Sequence, residues 1–127
     1  MILEKQFEQL VGSREPKPEL ISNSDGTHAV KVPGLRIPKG WNRDQVSVAF
    51  VVPVGYPLAS PDCFWAEPGI ALEHGGVPQN TGQNPGPGIE AGWLWFSWHV
   101  QPGNWNPNAS NLGTYVNIIR RRFADPR

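Results

Sequence analysis

The sequence predicts an α+β fold in which helices lie on one side of an antiparallel sheet. Apolar residues recur at helical spacing near both ends of the chain, and four strand-like segments separated by turn residues lie between them. A long irregular segment and an alternating aromatic segment precede the last helix. With 127 residues, the chain is long enough to bury one sizeable core, and we expect a single domain over 1–127.

The first element is predicted to be a short amphipathic helix. Its apolar stripe consists of Ile2, Leu3, Phe7, Leu10 and Val11, and Gly12 is a plausible stop. Pro16 and Pro18 then favour an extended connection.

A four-stranded antiparallel meander is predicted to follow. Its strands are expected at 19–23, 27–32, 46–53 and 63–66. Asp25-Gly26 is typical of a hairpin turn between the first two strands. The third strand is the most apolar and β-branched of the four, which suits the centre of a sheet.

The segment 69–92 is rich in glycine and proline and has few large apolar side chains. Segments of this length without regular structure are uncommon in compact domains and are usually functional or disordered. The segment directly precedes the aromatic strand, which suggests a mobile flap over a site there. The last helix follows, with Ser110 as its expected cap and an apolar stripe formed by Leu112, Tyr115, Val116, Ile119 and Phe123.

The aromatic segment 92–107 holds four of the six tryptophans together with one serine and one histidine. Along a strand, Trp93, Trp95, Ser97 and His99 would share one face, and the intervening apolar residues would share the other. Large apolar side chains on both faces predict a strand that is covered on both sides. Buried polar groups are costly without partners, so the Ser97–His99 pair is a candidate functional site.

Composition excludes several classes of function. The formal net charge is zero, which favours neither nucleic acid nor an anionic membrane as a partner. Arg120 to Arg122 form the one cationic run, expected to be the solvated end of a helix. A single cysteine excludes an internal disulfide, and neither a signal peptide nor a membrane-spanning run is visible. We therefore expect a cytoplasmic protein.

Two proline-containing motifs occur in order along the chain. Tyr56-Pro57 is followed by Pro61, and Trp105-Asn106-Pro107 precedes the predicted last helix. They match the Tyr-Pro-x-x-x-Pro and Trp-x-Pro motifs of the ubiquitin-conjugating enzyme (UBC-like) superfamily, which the chain resembles. The segments Pro61-Asp62-Cys63-Phe64-Trp65 and Ser97-Trp98-His99 more specifically resemble the prokaryotic family E of that superfamily. The resemblance covers about 27–123 and implies a UBC-like fold with a long irregular active-site segment.

The resemblance implies a bacterial protein that accepts the C-terminus of a ubiquitin-like protein from an adenylating activating enzyme, often beside a JAB-type peptidase. In the wider superfamily the thioester cysteine lies eight residues before the Trp of Trp-x-Pro, and that position here is Ser97. Ser97 would then carry an oxyester, making the protein a cysteine-independent acyl transferase. The His-Pro-Asn triplet of those enzymes is absent, and Asn80, in Pro78-Gln79-Asn80, is its nearest remnant as a possible oxyanion or flap contact.

The remaining candidate residues are His99 and Cys63. His99 is close enough along the strand to serve as a base for Ser97, but no carboxylate lies near it in sequence to orient the ring. Cys63 is an alternative nucleophile, although a small buried residue is the favoured interpretation, because the adjacent Asp62 would raise its pKa. The histidines and the cysteine show no metal-ligand spacing, so neither a metal nor another cofactor is expected. The competing hypothesis is a catalytically inactive UBC-like adaptor.

Overall fold

A computed structural model describes residues 2–127 of the chain. It contains two helices, α1 and α2, and six strands, β1 to β6. In chain order these elements are α1 (Ile2–Gly12), β1 (Glu19–Ser22), β2 (His28–Arg36), β3 (Gln45–Val52), β4 (Phe64–Ala66), β5 (Thr81–Gly82), β6 (Leu94–Phe96) and α2 (Leu112–Phe123). The predicted α+β order of helix, meander, irregular segment and closing helix is confirmed.

The six strands form one antiparallel sheet in the order β1-β2-β3-β4-β6-β5. The apolar strand β3 lies near the middle, as its composition predicted. On the side of the sheet away from β1, Phe96 of β6 is paired with Phe64 of β4 on one side and Thr81 of β5 on the other. The short strand β5, which the sequence did not predict, therefore forms the edge next to the candidate site.

One face of the sheet packs against the helices. Alternate residues of β2, β3, β4 and β6 on this face are fully buried, including Val30, Phe50, Phe64 and Phe96. The predicted stripe of α2 supplies the other half of the core, since Leu112, Tyr115, Val116, Ile119 and Phe123 are all buried. The rings of Phe96 and Phe123 are 5.4 Å apart, which joins β6 directly to the closing helix.

The opposite face of the sheet is partly covered by residues 84–90. Trp65 of β4 donates a hydrogen bond from its indole Nε1 to the carbonyl oxygen of Asn84. At Gly86 an added Cβ would lie 2.6 Å from the Trp65 ring, so only glycine allows this close approach. Lys31 of β2 forms an ion pair with Glu90. This part of the predicted flap is thus packed against the sheet, and its mobility remains a prediction.

The Tyr-Pro-x-x-x-Pro and Trp-x-Pro motifs contact each other. Trp105 donates a hydrogen bond from Nε1 to the carbonyl oxygen of Pro57, at 2.8 Å. The Tyr56 and Trp105 rings are 5.8 Å apart. We refer to this joint between the two loops as the Pro57–Trp105 clasp.

Three local expectations are wrong. The fourth strand begins at Phe64 because Cys63 adopts a left-handed conformation, with φ of 60°. Helix α2 is capped by Asn111, whose side chain accepts from the backbone N–H of Thr114, while the Ser110 hydroxyl accepts instead from the N–H of Asn106. The arginine run is solvated only in part, because Arg122 is buried.

No helix within residues 2–127 is both long and apolar enough to cross a membrane.

Candidate functional site

Strand β6 directs its two faces into different environments. Phe96 is fully buried, and Leu94, Trp98 and Val100 pack against the core from the same side. On the other face Trp93, Trp95 and Ser97 are half-buried and His99 is exposed. The predicted alternation is confirmed, but the prediction of a strand covered on both sides is wrong, because His99 is exposed and the other three side chains on its face are covered only in part.

Ser97 directly follows β6 and is held by its backbone. Its N–H donates to the carbonyl oxygen of Asn80, at 2.8 Å, which continues the pairing between the β5 and β6 segments. Asn80 is exposed and adopts φ of 58°, a left-handed conformation that asparagine tolerates better than most residues. The fold thus places the Asn80 backbone beside Ser97, and an oxyanion or flap contact by its side chain stays a prediction. The backbone N–H of Ser97 is already bonded and does not point to a ligand.

The imidazole of His99 lies beside the carboxylate of Asp62, which comes just before β4. His99 Nδ1 is 2.8 Å from Asp62 Oδ1, and both side chains are more than half exposed. A carboxylate can only accept, so the neutral ring carries its proton on Nδ1 and leaves Nε2 as an acceptor. The sequence showed no carboxylate near His99, but the fold supplies one from 37 positions away.

Cys63 is buried next to this pair. Its Sγ is 4.0 Å from His99 Nδ1, and only 7% of the residue is exposed. Burial, and secondarily the charge of Asp62, raises the pKa of the Cys63 thiol above its ordinary value. The thiol therefore remains protonated near neutral pH, and the direction that the sequence suggested for its pKa agrees with the structure.

The backbone around Cys63 is fixed by two hydrogen bonds. Its N–H donates to the carbonyl oxygen of Trp98 at 3.0 Å, and its carbonyl oxygen accepts from the Tyr115 hydroxyl at 2.6 Å. Tyr115 lies in α2 and is completely buried. These bonds hold the Asp62–Cys63 segment against the Trp98–His99 segment, so the grouping of the three side chains follows from the packing of the core.

A second buried group supports the Asn80 side of the site. Arg122 of α2 donates to the backbone oxygens of Gln79, Asp125 and Arg127, at 2.9 to 3.0 Å. Its guanidinium lies over the rings of Trp41 and Phe96, which accept a cation on their faces. The sequence did not identify Arg122 as a functional residue, because three consecutive arginines at a helix end normally indicate solvent.

The structure thus brings together a different set of candidates from the one predicted. His99 meets Asp62 and Cys63, and Ser97 meets Asn80 through the backbone. Within residues 2–127, no hydrogen bond joins the Ser97 hydroxyl to the His99 ring. Chemically, the site offers an oriented imidazole, a partly accessible hydroxyl and a buried protonated thiol.

This antiparallel sheet, with helices at both ends of the chain and the Pro57–Trp105 clasp, is the α+β fold of a UBC-like protein. The family model Prok-E2_E, described as Prokaryotic E2 family E, matches residues 3–125. The chain therefore belongs to this prokaryotic E2-like family. No curated protein and no solved structure significantly matches the chain.

Membership in the family defines the general role of the protein. It is a UBC-like protein of a conjugation pathway, and such a protein interacts with a ubiquitin-like protein and an activating enzyme. The mode of that interaction depends on the site.

Proposed function

We propose that this protein accepts the C-terminus of a ubiquitin-like protein from an adenylating activating enzyme as an oxyester on Ser97. The main support is the Asp62–His99 pair, which fixes an imidazole two residues from the half-buried hydroxyl. In residues 2–127 the Nε2 atom of that ring has no hydrogen-bond partner, so its lone pair is available to a proton. A serine nucleophile needs such a base, and the base needs a group that orients it.

The reaction is an acyl transfer. The Ser97 hydroxyl attacks the carbonyl carbon of the thioester on the activating enzyme, forming a C–O bond while the C–S bond breaks. The proton leaves Oγ for His99 Nε2 and then neutralises the departing thiolate. Asp62 stabilises the imidazolium that forms between these two steps. The backbone of Asn80 lies beside Ser97, and in this proposal its side-chain amide donates to the oxyanion.

Cys63 is not the acceptor in this proposal. It is buried, its pKa is raised, and His99 Nδ1, the ring atom nearest to it, is already hydrogen-bonded to Asp62. An activated cysteine needs a lowered pKa and access to its substrate.

We place the reaction in the bacterial cytoplasm and propose that a JAB-type peptidase acts in the same pathway.

The test is reconstitution with the cognate activating enzyme, ubiquitin-like protein and ATP. Wild-type protein should form an adduct that resists thiol reductant and is cleaved by hydroxide. Ser97→Ala should abolish the adduct, and Ser97→Cys should make it sensitive to reductant. Cys63→Ala, and Ser22→Ala on the distant edge strand β1, should leave it intact. A folded Ser97→Ala variant that is charged at the wild-type rate would refute the proposal.

The roles of His99 and Asn80 can be measured in the same assay. His99→Ala should slow adduct formation by about 10²–10⁴-fold, the usual contribution of a general base, whereas His74→Ala should not. Asn80→Gly removes the amide but accepts the left-handed backbone, so the expected loss of about 10²–10³-fold would reflect the oxyanion contact and not strain.

The absence of a hydrogen bond between Ser97 and His99 in residues 2–127 favours a second candidate function, that of a non-catalytic UBC-like adaptor. Such a protein would bind the ubiquitin-like protein or the activating enzyme without becoming charged. Tight binding of wild-type protein to either partner, with no covalent adduct by mass spectrometry, would establish this role.

A further inference from the structure

Three different metal-binding side chains converge beside the end of β6. One oxygen of Asp62, the Sγ of Cys63 and a ring nitrogen of His99 all lie within 4.8 Å of one another. The relevant nitrogen is Nδ1, which faces both the carboxylate at 2.8 Å and the sulfur at 4.0 Å. In a Cys–His–Asp catalytic triad, the two ring nitrogens would instead face the acid and the thiol separately.

We propose that Asp62, Cys63 and His99 form a binding site for a zinc-like divalent cation. A mixed set of one sulfur, one nitrogen and one oxygen matches the ligands that Zn²⁺ takes in proteins, and it does not suit Ca²⁺ or Mg²⁺, which prefer oxygen alone. Three protein ligands leave the fourth tetrahedral position open to water.

The required movements differ among the three pairs of ligand atoms. With metal–ligand bonds of about 2.0–2.3 Å, tetrahedral ligand atoms lie roughly 3.3–3.7 Å apart. The His99–Asp62 contact must therefore open by about half an ångström, and the Cys63–His99 contact must close by a few tenths. The Asp62 oxygen and the Cys63 sulfur, which lie within 4.8 Å of each other, must approach by up to about 1.3 Å. Asp62 and His99 are exposed and can rotate, whereas Cys63 is held in place by Trp98 and Tyr115. The fixed ligand is thus buried and the adjustable ligands are at the surface.

Metal binding would also change the protonation of Cys63 and His99. A coordinated cysteine binds as the thiolate, so Cys63 would release its proton when the ion enters. The Nδ1 proton of the neutral His99 ring would move to Nε2, because a coordinating imidazole nitrogen cannot keep its hydrogen. The metal-bound ring and the ring that serves as a base for Ser97 are therefore alternative states of His99. Binding should release the thiol proton and weaken as the pH falls.

Cobalt(II) is the direct probe, since it occupies zinc sites and is visible. Titration of metal-free, reduced protein with Co²⁺ should give a one-to-one complex with a near-ultraviolet thiolate-to-metal band, which one equivalent of Zn²⁺ removes. Cys63→Ser should eliminate that band. His99→Gln and Asp62→Asn, both at exposed positions, should weaken Co²⁺ binding by at least about tenfold.

The matched control is His74→Gln, which changes a histidine outside the cluster and should leave the titration unchanged. Circular dichroism of each variant verifies that it is folded. Absence of the thiolate band in folded wild-type protein would overturn the proposal. So would equal Co²⁺ affinity in wild type and His99→Gln, which would reveal adventitious binding elsewhere. Neither result depends on whether Ser97 forms an adduct.

Discussion

The chemistry around His99 depends on a single ring nitrogen and on how deeply its neighbours are buried. Asp62 and His99 lie at the surface, where an ion pair contributes little to stability, about 0–1 kcal/mol. Their value lies in orienting the ring. Cys63, by contrast, is enclosed by the protein, so its behaviour is dominated by the loss of solvent around the sulfur.

The raised pKa of Cys63 predicts slow alkylation. Because the thiolate is the reactive form, iodoacetamide should modify the folded, metal-free protein more slowly than the denatured protein, and the pH–rate midpoint should be higher when folded. A folded midpoint at or below the denatured one would contradict this prediction. Asp62→Asn should lower the folded midpoint, because it removes the charge that raises the Cys63 pKa in addition to burial.

The same pKa difference affects stability. The thiol of the unfolded chain ionises at lower pH, so the free energy of unfolding should fall as the pH rises between the unfolded and folded pKa values.

Arg122 is expected to be the most sensitive charged residue of α2. Arg122→Leu would remove three hydrogen bonds from the buried guanidinium to backbone oxygens, and hydrogen bonds to a charged group typically contribute about 1.5–3 kcal/mol each to the free energy of unfolding. Denaturant titration measures the loss. The exposed neighbour Arg121 provides the control, because Arg121→Leu should change stability by no more than about 0.5 kcal/mol. Equal effects of the two substitutions would show that the buried contacts are unimportant.

Among the elements, residues 84–90 have the most unusual role, because they cover part of the sheet face that the helices leave open. Irregular backbone can do this where side chains and glycines allow close contact. The Trp65 bond to Asn84 and the missing side chain at Gly86 provide that contact. The Lys31–Glu90 pair lies beyond it, toward the other edge of the sheet.

Adding a methyl group at Gly86 should detach this covering segment. Gly86→Ala would place Cβ against the Trp65 ring, and overpacking of this kind typically costs about 1–3 kcal/mol. Hydrogen exchange should then accelerate over 83–92. Gly82→Ala is the matched control, because Gly82 lies in the neighbouring strand β5, in open space, and does not have a positive φ. If Gly86→Ala leaves both stability and exchange unchanged, the segment is already mobile, as a flap would be.

The helices and strands could be predicted from the sequence, because local periodicity and turn residues determine them. The strand β3 and the apolar stripe of α2 are examples. The Asp62–His99 contact could not be predicted from the sequence, because it depends on how two segments far apart in the chain are brought together. The same holds for Arg122, whose burial depends on the backbone oxygens of Gln79 and Arg127. The left-handed Cys63 had no local signal either, since neither glycine nor asparagine marks that position.

At the scale of the whole molecule, both helices and the sheet contribute to one buried cluster. Leu3 and Leu10 of α1, Phe50 of β3 and Phe123 of α2 all belong to it. Trp41 links the cluster to the C-terminal end of α2, since its Nε1 donates to the carbonyl oxygen of Phe123 at 2.8 Å. A shared core of this kind should unfold in one step.

The single-domain organisation expected for 1–127 can be tested by equilibrium unfolding. Tryptophan fluorescence reports on residues in several parts of the fold, and far-ultraviolet circular dichroism reports on the backbone. The two should give coincident denaturation curves with one midpoint, as small two-state domains do. Separate midpoints would divide the chain into independently stable units.

The Pro57–Trp105 clasp has a further consequence for how local openings are distributed. A loop that separates from its neighbour exposes its amides at a characteristic frequency, and loops that must separate together share that frequency. Since Trp105 holds Pro57 by a hydrogen bond and Tyr56 by a ring contact, the loop at 53–61 and the stretch after His99 form one such unit. A protein that binds the exposed Leu58 would then slow the fluctuations of the residues that follow the Ser97 site, although it would not contact those residues.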